Sequence, residues 1–484
     1  HTMKRENIWK SYTEQQCAEL EALCERYRSF LDQGKTEREC VRTAVRLARE
    51  AGYEDLKDVI REGKTLKAGD KVYAVCMDKA LALYMAGSRP MKEGMRILGA
   101  HIDSPRLDVK QNPLYEDTEM AYLDTHYYGG VKKYQWVTIP LAIHGVVAKK
   151  DGTITEVCIG EDENDPIFCV TDLLIHLAGQ QMDKKARVVI EGEDLDLLVG
   201  SRPAAASPEE GEAASGETGD KNGKEEKKDG GEKEAVKAGI LKILKERYGI
   251  EEEDFLSAEL EIVPAGRARD CGFDRSMVAA YGQDDRVCGY TSLEALLDTE
   301  AQPFTCCCLL VDKEEIGSVG ATGMQSRFFE NTTAELMECL GQYSELDLRR
   351  CLSNSKMLSS DVSAAYDPLY AAAFEKRNAA YFGRGLVFNK YTGSGGKSRS
   401  NDANAEYLGW IRSAMERGRA AFQTAELGKV DVGGGGTIAY ISALYGMEVV
   451  DSGVAVLNMH APMEITSKAD IYEAKKGYQA FLRG

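Results

Sequence analysis

The sequence predicts an α/β fold: a mixed, largely parallel sheet flanked by helices, with a strand-rich domain inserted into it. Three observations lead there. From residue 286 onward, helical periodicities alternate with short apolar strand runs, as in a helix-covered parallel sheet. Within 115–265 the chain changes character and becomes rich in strand formers. At 484 residues it is too long for one ordinary core. The expected partition is 1–112 and 267–484 for the α/β domain, with 113–266 inserted between them.

The elements follow in order. Apolar residues at three- and four-residue spacings predict amphipathic helices over 12–33 and 37–52. Strands are expected at 71–77 and 95–100. In the insert, Val137 to Val147 reads as a strand, and Lys149-Lys150-Asp151-Gly152 as a hairpin turn. Ala186 to Ile190 reads as a further strand. Residues 201–236 are Ala, Ser, Gly, Glu, Lys and Pro with almost no large apolar side chain. Such a segment cannot bury enough surface to offset its ordering entropy, so disorder is expected. Helical periodicity resumes at 235–248.

Composition excludes several classes. A net charge of −18 argues against a general nucleic-acid binder, whose footprint is basic. No apolar run reaches membrane-spanning length, and the first residues lack the apolar segment of a secretory signal. The thirteen cysteines include no CxxC pair, and Cys306, Cys307 and Cys308 would alternate between the two faces of a strand. They read as reduced thiols used as small apolar residues, so a cytoplasmic protein without membrane or nucleic-acid partners is expected.

The candidate chemistry sits where apolar runs end. Glu314 and Glu315 follow Cys306 to Val311; His101 and Asp103 follow Met95 to Ala100. Asp361 follows Met357 to Ser360, His460 follows Val454 to Met459, and Asp284-Asp285 opens a helix-like stretch. Each has a bland reading. A glutamate pair is usually a solvated surface pair, a histidine a packed one, and an aspartate a helix cap. Their recurrence at separate strand ends favours function, because sites in open α/β sheets gather beyond the carboxyl ends of strands. Adjacent glutamates also suit a division of labour, one binding a metal and one moving a proton. The 115–265 stretch supplies none of these candidates.

The ordered set Gly99-Ala100-His101-Ile102-Asp103-Ser104-Pro105, Gln283-Asp284-Asp285-Arg286, Asp312-Lys313-Glu314-Glu315-Ile316-Gly317-Ser318, Ser360-Asp361-Val362 and Met459-His460-Ala461-Pro462 resembles the aspartyl aminopeptidase family of co-catalytic metallopeptidases, in its bacterial form. The resemblance covers essentially the whole chain outside 201–236. It implies a zinc-peptidase-like catalytic domain with an inserted oligomerisation domain. It also implies two divalent ions per subunit, zinc or else cobalt or manganese. Asp284 would bridge them, with His101 and Asp361 on one ion and Glu315 and His460 on the other. The spacing to Leu293-Glu294-Ala295-Leu296 favours Asp284 over Asp285 as the bridge, and the resemblance implies a cis peptide between the two. Glu314 would be the general base acting on a metal-bridged water, and Asp103 would orient His101. Peptides would be the substrates, and dimers building a tetrahedral dodecamer the assembly.

Further assignments rest on the same resemblance. Lys390, in the Gly/Ser loop 389–399, would meet an acidic side chain on the substrate's first residue. Gly436 and Thr437 would line the active site; four glycines allow close backbone approach, and the GK[ST] ending of a phosphate loop is absent. His176 falls in a segment that in the family reaches a neighbouring subunit's site, although a helix-face histidine is the simpler reading. His144 reads as packed, and Asp312 as solvated or structural. Two departures weaken a strict preference for Asp or Glu at the substrate's amino terminus. The stretch after Asp361 lacks the histidines of eukaryotic members, and Lys397-Ser398-Arg399-Ser400 stands where an arginine-tyrosine pair is expected.

Overall fold

The computed structural model describes residues 5–205 and 234–484. Two compact units result. One comprises His1–Pro105, Tyr128–Val131 and Gly266–Gly484; the other comprises Arg106–Tyr127 and Lys132–Ala265. Most of the 201–236 segment expected to be disordered lies outside the described residues.

The first unit is built on a nine-stranded sheet. Its centre runs Thr305–Val311, Met95–His101, Lys356–Ser360, Glu448–Gly453, each parallel to the next. Antiparallel Lys71–Cys76 and Ala80–Met85 extend one side, and Leu386–Asn389 pairs antiparallel on the other. Helices cover both faces, which is why the central strands read as continuous apolar runs rather than alternating ones. Period-two geometry still sorts the side chains. Leu98, Ala100, Cys306, Cys308 and Leu310 join a core containing helices Glu14–Gln33, Gln283–Leu297 and Lys468–Leu482. Ile97, Cys307, Leu309 and Val311 join the opposite core, with helices Phe328–Cys339 and Glu345–Asn354. The consecutive cysteines thus divide between two cores, and all thirteen thiols are free.

A five-stranded sheet in the same unit contains Ala455–Leu457 and Glu464–Ser467. The strand leading to His460 therefore belongs to this smaller sheet, while Glu448–Gly453 is the one in the central sheet.

The second unit carries a six-stranded sheet, including the expected hairpin between Leu141–Ala148 and Ile154–Ile159. His144 is buried there and its Nε2 lies 2.9 Å from Glu161 Oε1. One expectation fails: Ala186–Val188 is a 3-10 turn, not a strand. Val188 is exposed, and among the described residues no strand pairs with the run. Among the described residues no helix is long and apolar enough to cross a membrane.

Candidate active site

Three neighbouring parallel strands end on the candidate residues. His101 is the last residue of its strand, Glu314 and Glu315 form a 3-10 turn after Val311, and Asp361 follows Ser360. Helix Gln283–Leu297 contributes Asp284 at its first turn, where the Asp284–Asp285 peptide is cis as expected. His460 arrives on the loop before Glu464–Ser467, with φ +67°.

The two oxygens of Asp284 face two different histidines. Oδ1 lies 3.2 Å from His101 Nε2, and Oδ2 lies 3.1 Å from His460 Nε2. Asp361 Oδ1 is 3.6 Å from His101 Nε2, and Glu315 Oε2 is 3.3 Å from His460 Nε2. Glu314 Oε2 is 3.6 Å from His101 Nε2. The triplets His101–Asp284–Asp361 and Asp284–Glu315–His460 each bring one ligand atom per residue within 4.8 Å of the others, and so does His101–Glu314–Glu315.

Asp103 organises this cluster from beneath. It is fully buried and accepts from Tyr128 Oη (2.8 Å), Glu314 N–H (3.1 Å) and Glu315 N–H (3.0 Å). His101 Nδ1 lies 2.9 Å from its carbonyl and 3.2 Å from its carboxylate. One side chain therefore sets both the imidazole orientation and the turn that presents the two glutamates. The other histidine is oriented by the Gly130 carbonyl, 2.8 Å from His460 Nδ1.

The electrostatics fit a bound cation. Burial, reinforced by Asp361, pushes the Glu314 carboxyl well above its ordinary value; burial and Asp284 do the same to Glu315. Burial raises Asp361 to about 6. Against burial, Asp361 and Glu314 hold the His101 imidazolium well above the usual range. A divalent cation among these carboxylates would offset the cost of burying so many acids together. Moreover His101 Nε2, Asp284 Oδ1 and Glu315 Oε1 are buried without a hydrogen-bond partner, a costly arrangement unless a ligand completes it. Imidazole with carboxylate is a zinc donor set.

An open cleft of about 410 Å³ covers the cluster, lined also by Asn389, Gly436, Thr437, Tyr440 and Asp451. Gly436 and Thr437 thus face the same cleft as Glu314. Lys390 is not among the lining residues; its ammonium is paired with Asp402, which Lys397 also approaches at 3.3 Å. His176 sits in the exposed 3-10 turn Ile175–Leu177 of the second unit. Asp312 is buried, and Thr322 Oγ1 donates to it at 2.7 Å, so it is structural rather than solvated. Sequence reading missed three residues, Tyr128, Asp451 and Glu464, and weighed Asp285 only as an alternative bridge, not as a support for His101. Asp285 accepts from the His101 N–H at 3.3 Å, and Thr437 Oγ1 donates to Asp451 at 2.6 Å. An acid inside the apolar strand Val449-Val450-Asp451 was a usable signal; Tyr128 offered none.

The model of the aminopeptidase I zinc metalloprotease (M18) family matches residues 30–482. The chain belongs to that family. This aminopeptidase is 60% identical over 476 residues to a probable M18 family aminopeptidase 1 from Clostridium acetobutylicum, covering 98% of this chain and 97% of that one. The crystal structure of aminopeptidase I from C. acetobutylicum, 57% identical, has a TM-score of 0.88 and covers 100% of both chains. A dodecameric mApe1 from S. cerevisiae, 19% identical, shares the fold at a TM-score of 0.73 over 94% of this chain and 95% of that one. The chain is thus a metal-dependent aminopeptidase, a hydrolase of the zinc metalloprotease type.

Proposed function

We propose that the aminopeptidase holds two divalent ions per chain, bridged by Asp284, with His101 and Asp361 on one and Glu315 and His460 on the other. The observation that carries this is the split carboxylate of Asp284, each oxygen aimed at a different histidine at 3.2 and 3.1 Å. Zinc is the favoured metal, and cobalt or manganese suit the same donors. When bound, the ions lower the pKa of an attacking water and polarise the scissile carbonyl. Glu314 takes the water's proton on its carboxylate and delivers it to the departing amine nitrogen. Asp103 is a positioning residue: it fixes the His101 ring and the Glu314–Glu315 turn. Gly436 and Thr437 line the path of the peptide.

The cleft lining contains no lysine or arginine among the described residues. Lys390 serves an acidic first residue only by leaving Asp402, so neutral first residues are expected to be cleaved at least as well as Asp or Glu. The test is a panel of aminoacyl substrates with each amino terminus, free or acylated, assayed with zinc, cobalt and manganese. Release from free amino termini, abolished by chelation, is expected. Faster release from acylated substrates points instead to a dimetal amidohydrolase.

Self-association belongs to the same reading. The segment 173–182 exposes Leu173, Leu174, Ile175, Leu177 and Met182, an apolar run suited to a partner surface. The S. cerevisiae neighbour is a dodecamer. We infer that the inserted unit is the dimer contact, that dimers assemble into a tetrahedral dodecamer, and that His176 reaches a neighbouring copy.

A further inference from the structure

Glu464 is an acid with only 2% of its surface exposed, and its two oxygens go to backbone N–H groups rather than to a cation. Oε1 accepts from Asp284 N–H at 3.1 Å, and Oε2 accepts from His460 N–H at 3.1 Å. One carboxylate therefore grips the backbones of two residues that lie 180 and 4 positions away in sequence. The grip is not equally needed at both ends. Asp284 is also held through its carbonyl by Ser104 Oγ at 2.8 Å, and the neighbouring Gln283 is anchored to the carbonyls of Val278 and Glu464. His460 adopts φ +67°, a left-handed conformation that is strained for a non-glycine residue and persists only where surroundings enforce it. Its ring is held by the Gly130 carbonyl on Nδ1 and faces Asp284 and Glu315 through Nε2, while Glu464 holds its backbone N–H.

We propose that Glu464 is a positioning residue that clamps His460 to Asp284 and so sets the affinity of the cation held by Asp284, Glu315 and His460. The inference rests on the ligand assignment above. Its physical content is that a ligand on a strained loop is pre-organised by an acceptor that neutral or singly accepting side chains cannot replace. Glutamine keeps the size but turns one acceptor into an amide NH₂ facing an N–H, which breaks one of the two bonds. Loss of such outer support lowers metal affinity ~10- to 100-fold.

The experiment titrates zinc into chelator-stripped, full-length enzyme, comparing wild type, Glu464→Gln and Glu464→Asp by calorimetry and by metal count per chain. In Glu464→Gln one ion is expected to bind as in wild type and the second ~10- to 100-fold more weakly, with saturating zinc restoring turnover. Glu464→Asp, which keeps both oxygens on a shorter stem, is expected to lose less, in the same ion. Equal weakening of both ions, or none, overturns the proposal. If Glu464→Gln does not fold, Glu464→Asp carries the same two outcomes. A wild type that binds fewer than two ions overturns the ligand assignment itself, before either variant is compared.

Discussion

At the level of single residues, Glu314 is the group that moves the proton in the proposed reaction. Its carboxylate lines the cleft beside His101 without being needed to complete either proposed metal triplet. That separates proton transfer from metal binding. Glu314→Gln is expected to keep its metal and lose at least ~100-fold in kcat, because an amide cannot accept the water's proton. Steady-state kinetics beside metal analysis checks this. Near-normal turnover in the metal-loaded variant removes Glu314 from the base role. Of the candidates brought together here, His101, Glu314, Glu315, Asp361 and His460 were legible because each follows an apolar run, whereas Asp284 was read from the resemblance of its motif. Their supports were not. Tyr128, Asp285 and Glu464 each make a contact spanning 25, 184 and 180 positions respectively, which no local pattern announces; Glu464 also reaches His460 four positions away. The pairing of Lys390 was not legible for a related reason: Asp402 lies twelve positions on, and the fold brings the two together.

At the scale of elements, two junctions make predictions. Helix Lys468–Leu482 starts on a lysine with no exposed side-chain surface, paired with Asp270 at 3.1 Å and Glu21 at 2.6 Å. Against the upward push of burial, Lys468 and Arg275 hold the Asp270 carboxyl below its usual range. A carboxyl with a depressed folded value adds stability above its unfolded pKa, about 3.9, and loses it as pH falls through the folded value. Asp270→Asn is therefore expected to cost ~1–3 kcal/mol at pH 7, since only the lysine of the pair is fully buried and Glu21 still holds it. The gap between variant and wild type should narrow below pH ~4. Denaturant unfolding at both pH values measures it, and a gap independent of pH contradicts the pairing. The second junction flanks the low-complexity stretch, where Ala204 N–H donates to the Ala235 carbonyl at 2.9 Å. Replacing 206–233 by a short Gly-Ser turn is expected to leave melting temperature and kcat unchanged. A fall of several degrees would show that the stretch packs. Helix 235–248 and the hairpin at 149–152 were legible because propensity and turn chemistry agree there. Ala186 to Ile190 was misread because β-branched composition alone does not supply a neighbouring strand.

At the scale of the whole molecule, the alternation of helices and strands was enough to anticipate the central parallel sheet, since covered strands must be continuously apolar. It could not anticipate that the His460 loop leaves from a second, smaller sheet, because pairing partners are not written in strand composition. The exposed apolar run at 173–182 predicts that the full chain is a large homo-oligomer by light scattering; a fully active monodisperse monomer contradicts that. The central claim is that one chain hydrolyses the peptide bond with two ions bridged by Asp284. It is tested most directly by counting bound zinc per chain while turnover is followed during reconstitution of the metal-free enzyme. Saturation at two ions per chain is expected, with full turnover reached only as the second site fills. Full turnover at one ion per chain, with no second ion bound, would contradict it.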